Sequence, residues 1–122
     1  MWKNQPYNSN TGNRGEDMAA EWLTQNGFSI IERNWRFKHL EVDIVASKGK
    51  KIHFVEIKTR TTDIYGNPEE SVGKKKMQHL RRAAEEYQYQ HPQWLFLQID
   101  VLAIKMYNGQ APEYFLIEDV FF

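Results

Sequence analysis

Glu41-Val42-Asp43-Ile44-Val45 and Phe54-Val55-Glu56-Ile57-Lys58 are the stretches on which the fold turns. A strand that alternates charged and apolar residues ordinarily shows its charges to water, yet these charges sit inside the two most β-prone segments of the chain. Between them lies Lys48-Gly49-Lys50-Lys51. Glycine at the first central position of a two-residue loop is the mark of a type II′ hairpin. With Lys48 and Lys51 flanking that loop, the antiparallel register sets Asp43 opposite Glu56 and Glu41 opposite Lys58. Directly opposed residues share a face, with Cβ atoms roughly 4.5 to 5.5 Å apart. The other face pairs Ile44 with Val55 and Val42 with Ile57, a core surface.

Two carboxylates opposed in a sheet repel each other, and in a half-buried site one must hold a proton unless a positive ion compensates. A divalent cation bridging Asp43 and Glu56 removes the conflict. Hard oxygen ligands without cysteine favour Mg²⁺ or Mn²⁺ over zinc. On residue types alone a plainer reading has equal weight: Glu41 with Lys58 as an ordinary cross-strand ion pair, and Asp43 with Glu56 as a solvated acidic face.

Asp43, twelve intervening residues and then Glu56-Ile57-Lys58 resembles the PD-(D/E)XK motif of the restriction-endonuclease-like nucleases. Gly15-Glu16-Asp17-Met18-Ala19-Ala20, Glu41-Val42-Asp43-Ile44-Val45 and Phe54-Val55-Glu56-Ile57-Lys58-Thr59-Arg60 further resemble the signature blocks of the bacterial YraN family. Lys76, Ala83-Ala84, Tyr87 and Ile99-Asp100-Val101 fit as well, so the likeness runs from about residue 12 to about residue 106. That family is similar to archaeal Holliday-junction resolvases. Two departures stand out: Val42 occupies the place of the motif's proline, and Leu40 stands where family members usually carry glycine.

The resemblance implies a metal-dependent endonuclease acting on DNA, with branched or repair intermediates as its substrates. It assigns Asp43 and Glu56 as metal ligands, together with the main-chain carbonyl of Ile57. Lys58 becomes the residue that orients or deprotonates the attacking water, which suits an ammonium two residues along the strand from Glu56 and on the same face. Glu16 is implied as a further catalytic and metal-binding carboxylate, reaching across from the first helix. A structural role for Glu16 stands beside this one. Asn13 and Glu16 have capping-box spacing, and a helix dipole favours an acid in its first turn.

At 122 residues there is room for one core. The expected division is a flexible arm over residues 1–11 and a single endonuclease-like domain over 12–122. The chain has no cysteine, which excludes disulfides and thiolate zinc sites. No apolar run approaches the roughly 18 residues that span a bilayer, and Met1-Trp2-Lys3-Asn4-Gln5-Pro6 lacks a signal-peptide core. A soluble cytoplasmic protein is expected.

Met18, Ala19, Trp22 and Leu23 form one apolar helical stripe, with Gly27 as a stop. Strands are predicted over about Phe28 to Phe37, Leu40 to Lys48 and Lys51 to Arg60. Thr61 to Gly73 reads as a loop in which Asn67 caps, Pro68 opens a helical turn and Tyr65 to Pro68 is a candidate substrate-contacting segment. Met77, Leu80, Ala84 and Tyr87 mark a second helix that ends at His91-Pro92. Trp94 to Tyr107 and Glu113 to Phe122 are predicted as strands about an Asn108-Gly109 turn. The order is α/β in class: an αβββαβ restriction-endonuclease-like core, a mixed sheet flanked by helices, with an additional C-terminal strand. A helical crossover should make the third and fourth strands parallel.

Sixteen basic and sixteen acidic residues cancel, so any electrostatic footprint must be local. Lys74, Lys75, Lys76, His79, Arg81 and Arg82 crowd the start of the second helix. Arg33, Arg36, Lys38, His39, Lys58 and Arg60 gather in the strands beside the proposed site. Arg36, Lys38, Arg60, Lys74, Lys75, Lys76, Arg81 and Arg82 are the candidate nucleic-acid contacts. Solvation of a helix face is the usual fate of such runs, but Glu69, Glu70, Glu85 and Glu86 lie at the ends of this one, which favours phosphate contact.

Asp100, in an otherwise apolar strand, is either a support for the site or part of a solvent-facing stripe with Gln98. Trp22, Trp35 and Trp94 read as core anchors. The four histidines have no spacing that suggests zinc or a nucleophile triad. Beside the Mg²⁺- or Mn²⁺-dependent nuclease stand two other classes: a nucleic-acid-binding protein of the same fold with weak or lost cleavage, and a structural protein that pairs with itself or a partner through Tyr114 to Phe122.

Overall fold

The computed structural model describes residues 11–60 and 73–120. The N-terminal arm, the loop with Asn67-Pro68 and the chain's last two residues lie outside the described residues, apart from Thr11 and Gly73 at their borders. The elements follow in the order α1 (Thr11–Gln25), β1 (Ser29–Phe37), β2 (Leu40–Lys48), β3 (Lys51–Arg60), α2 (Lys74–Gln90), β4 (Phe96–Lys105) and β5 (Glu113–Ile117). This is an αβββαβ core with an additional C-terminal strand.

Helix α1 opens at Thr11, so Glu16 lies in its second turn and Asn13 is inside the helix rather than capping it. Its other end follows from glycine. Gly27 takes φ 92°, Phe28 N–H reaches back to Leu23 O at 3.0 Å and Gly27 N–H to Thr24 O at 3.2 Å. That pair of bonds is the Schellman closure, and Phe28 and Leu23 meet in the same core cluster, as the motif's apolar contact requires.

The five strands order as β1-β2-β3-β4-β5. Every neighbouring pair is antiparallel except β3 and β4, which α2 joins and which run parallel. One helix covers each face of the sheet. Ala19, Leu23 and Phe28 pack with Ile44, Ala46, Val55, Leu102 and Ile104, whereas Leu80, Ala83, Ala84 and Tyr87 of α2 pack with Trp35, Val45, Ile52, Phe54 and Ile99. Strand β3 is central and serves both cores by simple alternation. Ile52 and Phe54 point toward α2 and Val55 toward α1, so Glu56 follows Phe54 onto the α2 side.

The hairpin has the expected register, with Lys48 opposite Lys51 and Ile44 opposite Val55. Gly49 has φ 64° and Lys50 is not left-handed, as a type II′ turn requires. The ladder stops at Ile44 and Val55. Beyond it the Asp43 carboxylate, not a β2 main-chain carbonyl, accepts the Ile57 N–H at 2.9 Å. The backbone pairs expected further along, Asp43 with Glu56, Val42 with Ile57 and Glu41 with Lys58, are therefore not formed as ladder partners, although the Asp43 and Glu56 side chains still interact. Glu41 sits opposite Arg36 of β1 and forms an ion pair with it at 3.3 Å. Val42 joins Trp35 and Leu40 in the α2-side core, whereas Ile57 packs on the α1 side.

The C-terminal strands are shorter than predicted. After β5 the chain stays attached through Val120 N–H to Ile99 O at 2.8 Å. Among the described residues no helix is long and apolar enough to cross a membrane.

Candidate functional site

Strands β2 and β3 bring Asp43, Glu56 and Lys58 together, and α2 adds a fourth group, Lys76. Glu56 is 5% exposed. Lys58 Nζ lies 3.8 Å from its Oε2 and Lys76 Nζ 3.6 Å from its Oε1. These are ion-pair distances but too long for hydrogen bonds, and Glu56 Oε1 is a buried oxygen with no hydrogen-bond partner. Burial, followed by the charge of Asp43, pushes the Glu56 carboxyl from 4.5 up to about 7, against the opposing pull of Lys76 and Lys58. Asp43 is held in place by the Ile57 N–H.

An orphaned carboxylate oxygen beside a second carboxylate that raises its pKa is a donor set fitted to a hard divalent cation. Asp43 and Glu56 could supply two protein oxygens to such an ion, and the Ile57 carbonyl follows on the same strand. Two carboxylates with waters and substrate phosphate suffice for Mg²⁺. Glu16 does not join them. Its Oε1 accepts from Arg33 Nη2 and Asn34 Nδ2, each at 2.9 Å. Asn34 reaches it from a left-handed position, φ 56°. Among the described residues no three acidic, histidine or cysteine side chains form a metal-sized group.

The basic candidates divide. Arg36 is engaged with Glu41 and Arg81 with Glu85 at 3.4 Å. Lys38 lies over the Phe37 ring. Arg60, at the end of β3, donates to Thr59 O at 2.9 Å. Lys74, Lys75 and Arg82 are exposed on α2. Arg33, also grouped with the site from its position in the sequence, is committed to Glu16 and Asp17.

Asp100, partner of Val55 in the sheet, neither shares a face with Glu56 nor faces water. It is fully buried on the opposite, α1 face, where His53 Nδ1 at 2.7 Å, Gln98 Nε2 at 2.9 Å and the Asp119 N–H at 2.9 Å surround its carboxylate. Trp35 is buried, Trp94 packs on the α2-side core, and Trp22 stacks on Tyr114 with ring centroids 5.5 Å apart.

Two contacts were missed from the sequence, Lys76 against Glu56 and the rings of His39 and His79. Both join α2 to distant parts of the chain, strand β3 in one case and the β1–β2 turn in the other. The only available hint was that positions 76 and 79 share one helical face.

The chain matches the family described as "Uncharacterised protein family UPF0102" over residues 15–104. It belongs to the UPF0102 family. A UPF0102 protein of Rhodococcus opacus is 39% identical over 116 residues, covering 94% of this chain and 98% of the relative. One from Clostridium kluyveri is 38% identical over 118 residues, 94% of this chain and 96% of its own. One from Leifsonia xyli is 46% identical over 76 residues, 62% of this chain and 64% of its own. The UPF0102 match takes in Glu16, Asp43, Glu56, Lys58 and Lys76, and ends before β5.

Proposed function

We propose that this UPF0102 chain is a Mg²⁺- or Mn²⁺-dependent endonuclease that hydrolyses phosphodiester bonds in DNA, branched or repair intermediates included. The observation that carries the reading is the pairing of Asp43 with a buried Glu56 whose Oε1 lacks a hydrogen-bond partner. Asp43, Glu56 and the Ile57 carbonyl would hold the ion, which supplies Lewis-acid activation of water and offsets charge on the phosphate.

The remaining work falls to the chain's own groups. The Ile57 N–H keeps Asp43 Oδ2 turned toward Glu56. Lys58, on the same strand face as Glu56, orients the attacking water or the scissile phosphate through its ammonium. Lys76 brings a second positive charge to Glu56 from α2. Both ammonium groups sit beside a buried carboxylate, where charge interactions are stronger than in water.

The test uses purified protein with duplex and four-way DNA and added Mn²⁺ or Mg²⁺. Wild type should nick, Asp43→Ala should not, and Lys58→Met should lose about 100-fold or more in rate. Equal nicking by wild type and Asp43→Ala would refute the assignment.

One observation favours a second reading. The Glu16 carboxylate is committed to Arg33 and Asn34, leaving two acidic ligands. A nucleic-acid-binding protein with weak or lost cleavage would bind DNA with a steep salt dependence yet show no metal-dependent nicking.

A further inference from the structure

The His39 and His79 rings meet edge to face, 5.5 Å between centroids and 76° between planes. They come from different elements, His39 from the turn between β1 and β2 and His79 from the second turn of α2. The charged groups acting on His79 are Lys75, Lys76 and Arg82 of α2 together with His39, and no carboxylate is among them within the described residues. No acidic side chain among those residues forms an ion pair with Lys75 or Arg82. Partial desolvation, then His39, Lys75, Arg82 and Lys76, lower the tendency of His79 to take up a proton.

Clustered donors with no carboxylate acting on His79 among the described residues describe a place for an anion. Its location narrows the choice. Lys76, which touches Glu56, and His79 lie three residues apart on one helical face, about 4.5 Å along the axis. An extended polyanion crossing the Asp43–Glu56 pair would pass over Lys76 and reach the two rings.

We propose that His39 and His79, flanked by Lys75 and Arg82, form a second anion-binding point that grips a backbone phosphate of the bound DNA away from the scissile one. This rests on the nucleic-acid part of the function proposed above and adds a residue-level property to it. A phosphate set against the outer edge of the ring pair replaces the repulsion on His79 by attraction, so protons are taken up as DNA binds. Affinity should therefore rise as pH falls, approaching tenfold per pH unit for each proton taken up.

The experiment uses full-length protein in a Glu56→Gln background, which removes the carboxyl that titrates in the same window. Binding of fluorescein-labelled duplex and four-way DNA is followed by anisotropy from pH 5.5 to 8.0 at constant ionic strength. The parent should bind at least tenfold tighter at pH 5.5 than at pH 7.5. His39→Gln and His79→Gln should reduce that ratio below threefold with thermal unfolding unchanged, since neither side chain is in the core. His79→Lys should bind tightly and flatten the pH dependence. Lys75→Gln should lower the salt slope by about one while keeping the pH slope. A pH slope that survives in both glutamine variants overturns the histidine grip and leaves the nuclease reading intact. No binding by the parent at low salt overturns both.

Discussion

Glu56→Gln should stabilise the metal-free protein at pH 8, although it deletes a charge that two lysines approach. The carboxyl is held at about 7 rather than 4.5, so the native state keeps a proton that the unfolded chain has already released. Between those two values the folded protein binds more protons than the unfolded one, and stability falls as pH rises through the interval. Above about pH 7 the whole cost is present. It amounts to about 3 kcal/mol from the linkage relation, and shrinks to less than about 1 kcal/mol at pH 5. Glutamine has the same shape and never ionises. Urea unfolding of both proteins at pH 5 and pH 8, in chelator, reads the difference directly. A wild-type to Glu56→Gln gap that stays constant across that range, or a variant less stable at pH 8, would refute the claim that burial and Asp43 act on this carboxyl.

Millimolar Mn²⁺ or Mg²⁺ should close most of that gap: wild type gains about 2.7 kcal/mol at one hundred times Kd, seen as a rise in Tm, and Asp43→Asn gains none. Gly15→Ala should destabilise by about 1 to 3 kcal/mol in chemical denaturation, despite alanine's better helix propensity, because a Cβ there would lie 2.5 Å from Thr59 Cγ2. Asp100→Ala strands His53, Gln98 and the Asp119 N–H without their shared acceptor. It should cost about 3 kcal/mol by thermal or urea unfolding, with DNA binding by the folded fraction unchanged.

Much of the fold was legible because its decisive elements are local. Gly49 sets the β2–β3 turn and with it the register of every residue back to Ile44, and Gly27 and His91 mark helix ends through bonds only a few residues long. What the sequence concealed depends on groups far apart in the chain. The ladder ends because a side chain, Asp43, takes the N–H that a backbone partner would otherwise receive, and nothing in a strand pattern announces such an exchange. Val42 then turns to the other core and Glu41 to Arg36. Glu16 followed the same logic: its spacing from Asn13 suggested a cap, whereas Arg33 and Asn34, 17 and 18 residues away, determine where its carboxylate goes. Asp100 read equally as a support for the site or as part of a solvent-facing stripe with Gln98, and it is neither: it is buried, with His53, Gln98 and a main-chain N–H converging on it.

Bare Gly15 lets α1 rest directly on Thr59, the neighbour of Lys58. With no side chain to act as a spacer, helix and strand are coupled like two plates in contact. A change of allegiance by Glu16 would therefore come from rotation about its own χ angles, giving up its bonds to Arg33 and Asn34, while the helix beneath it stays still.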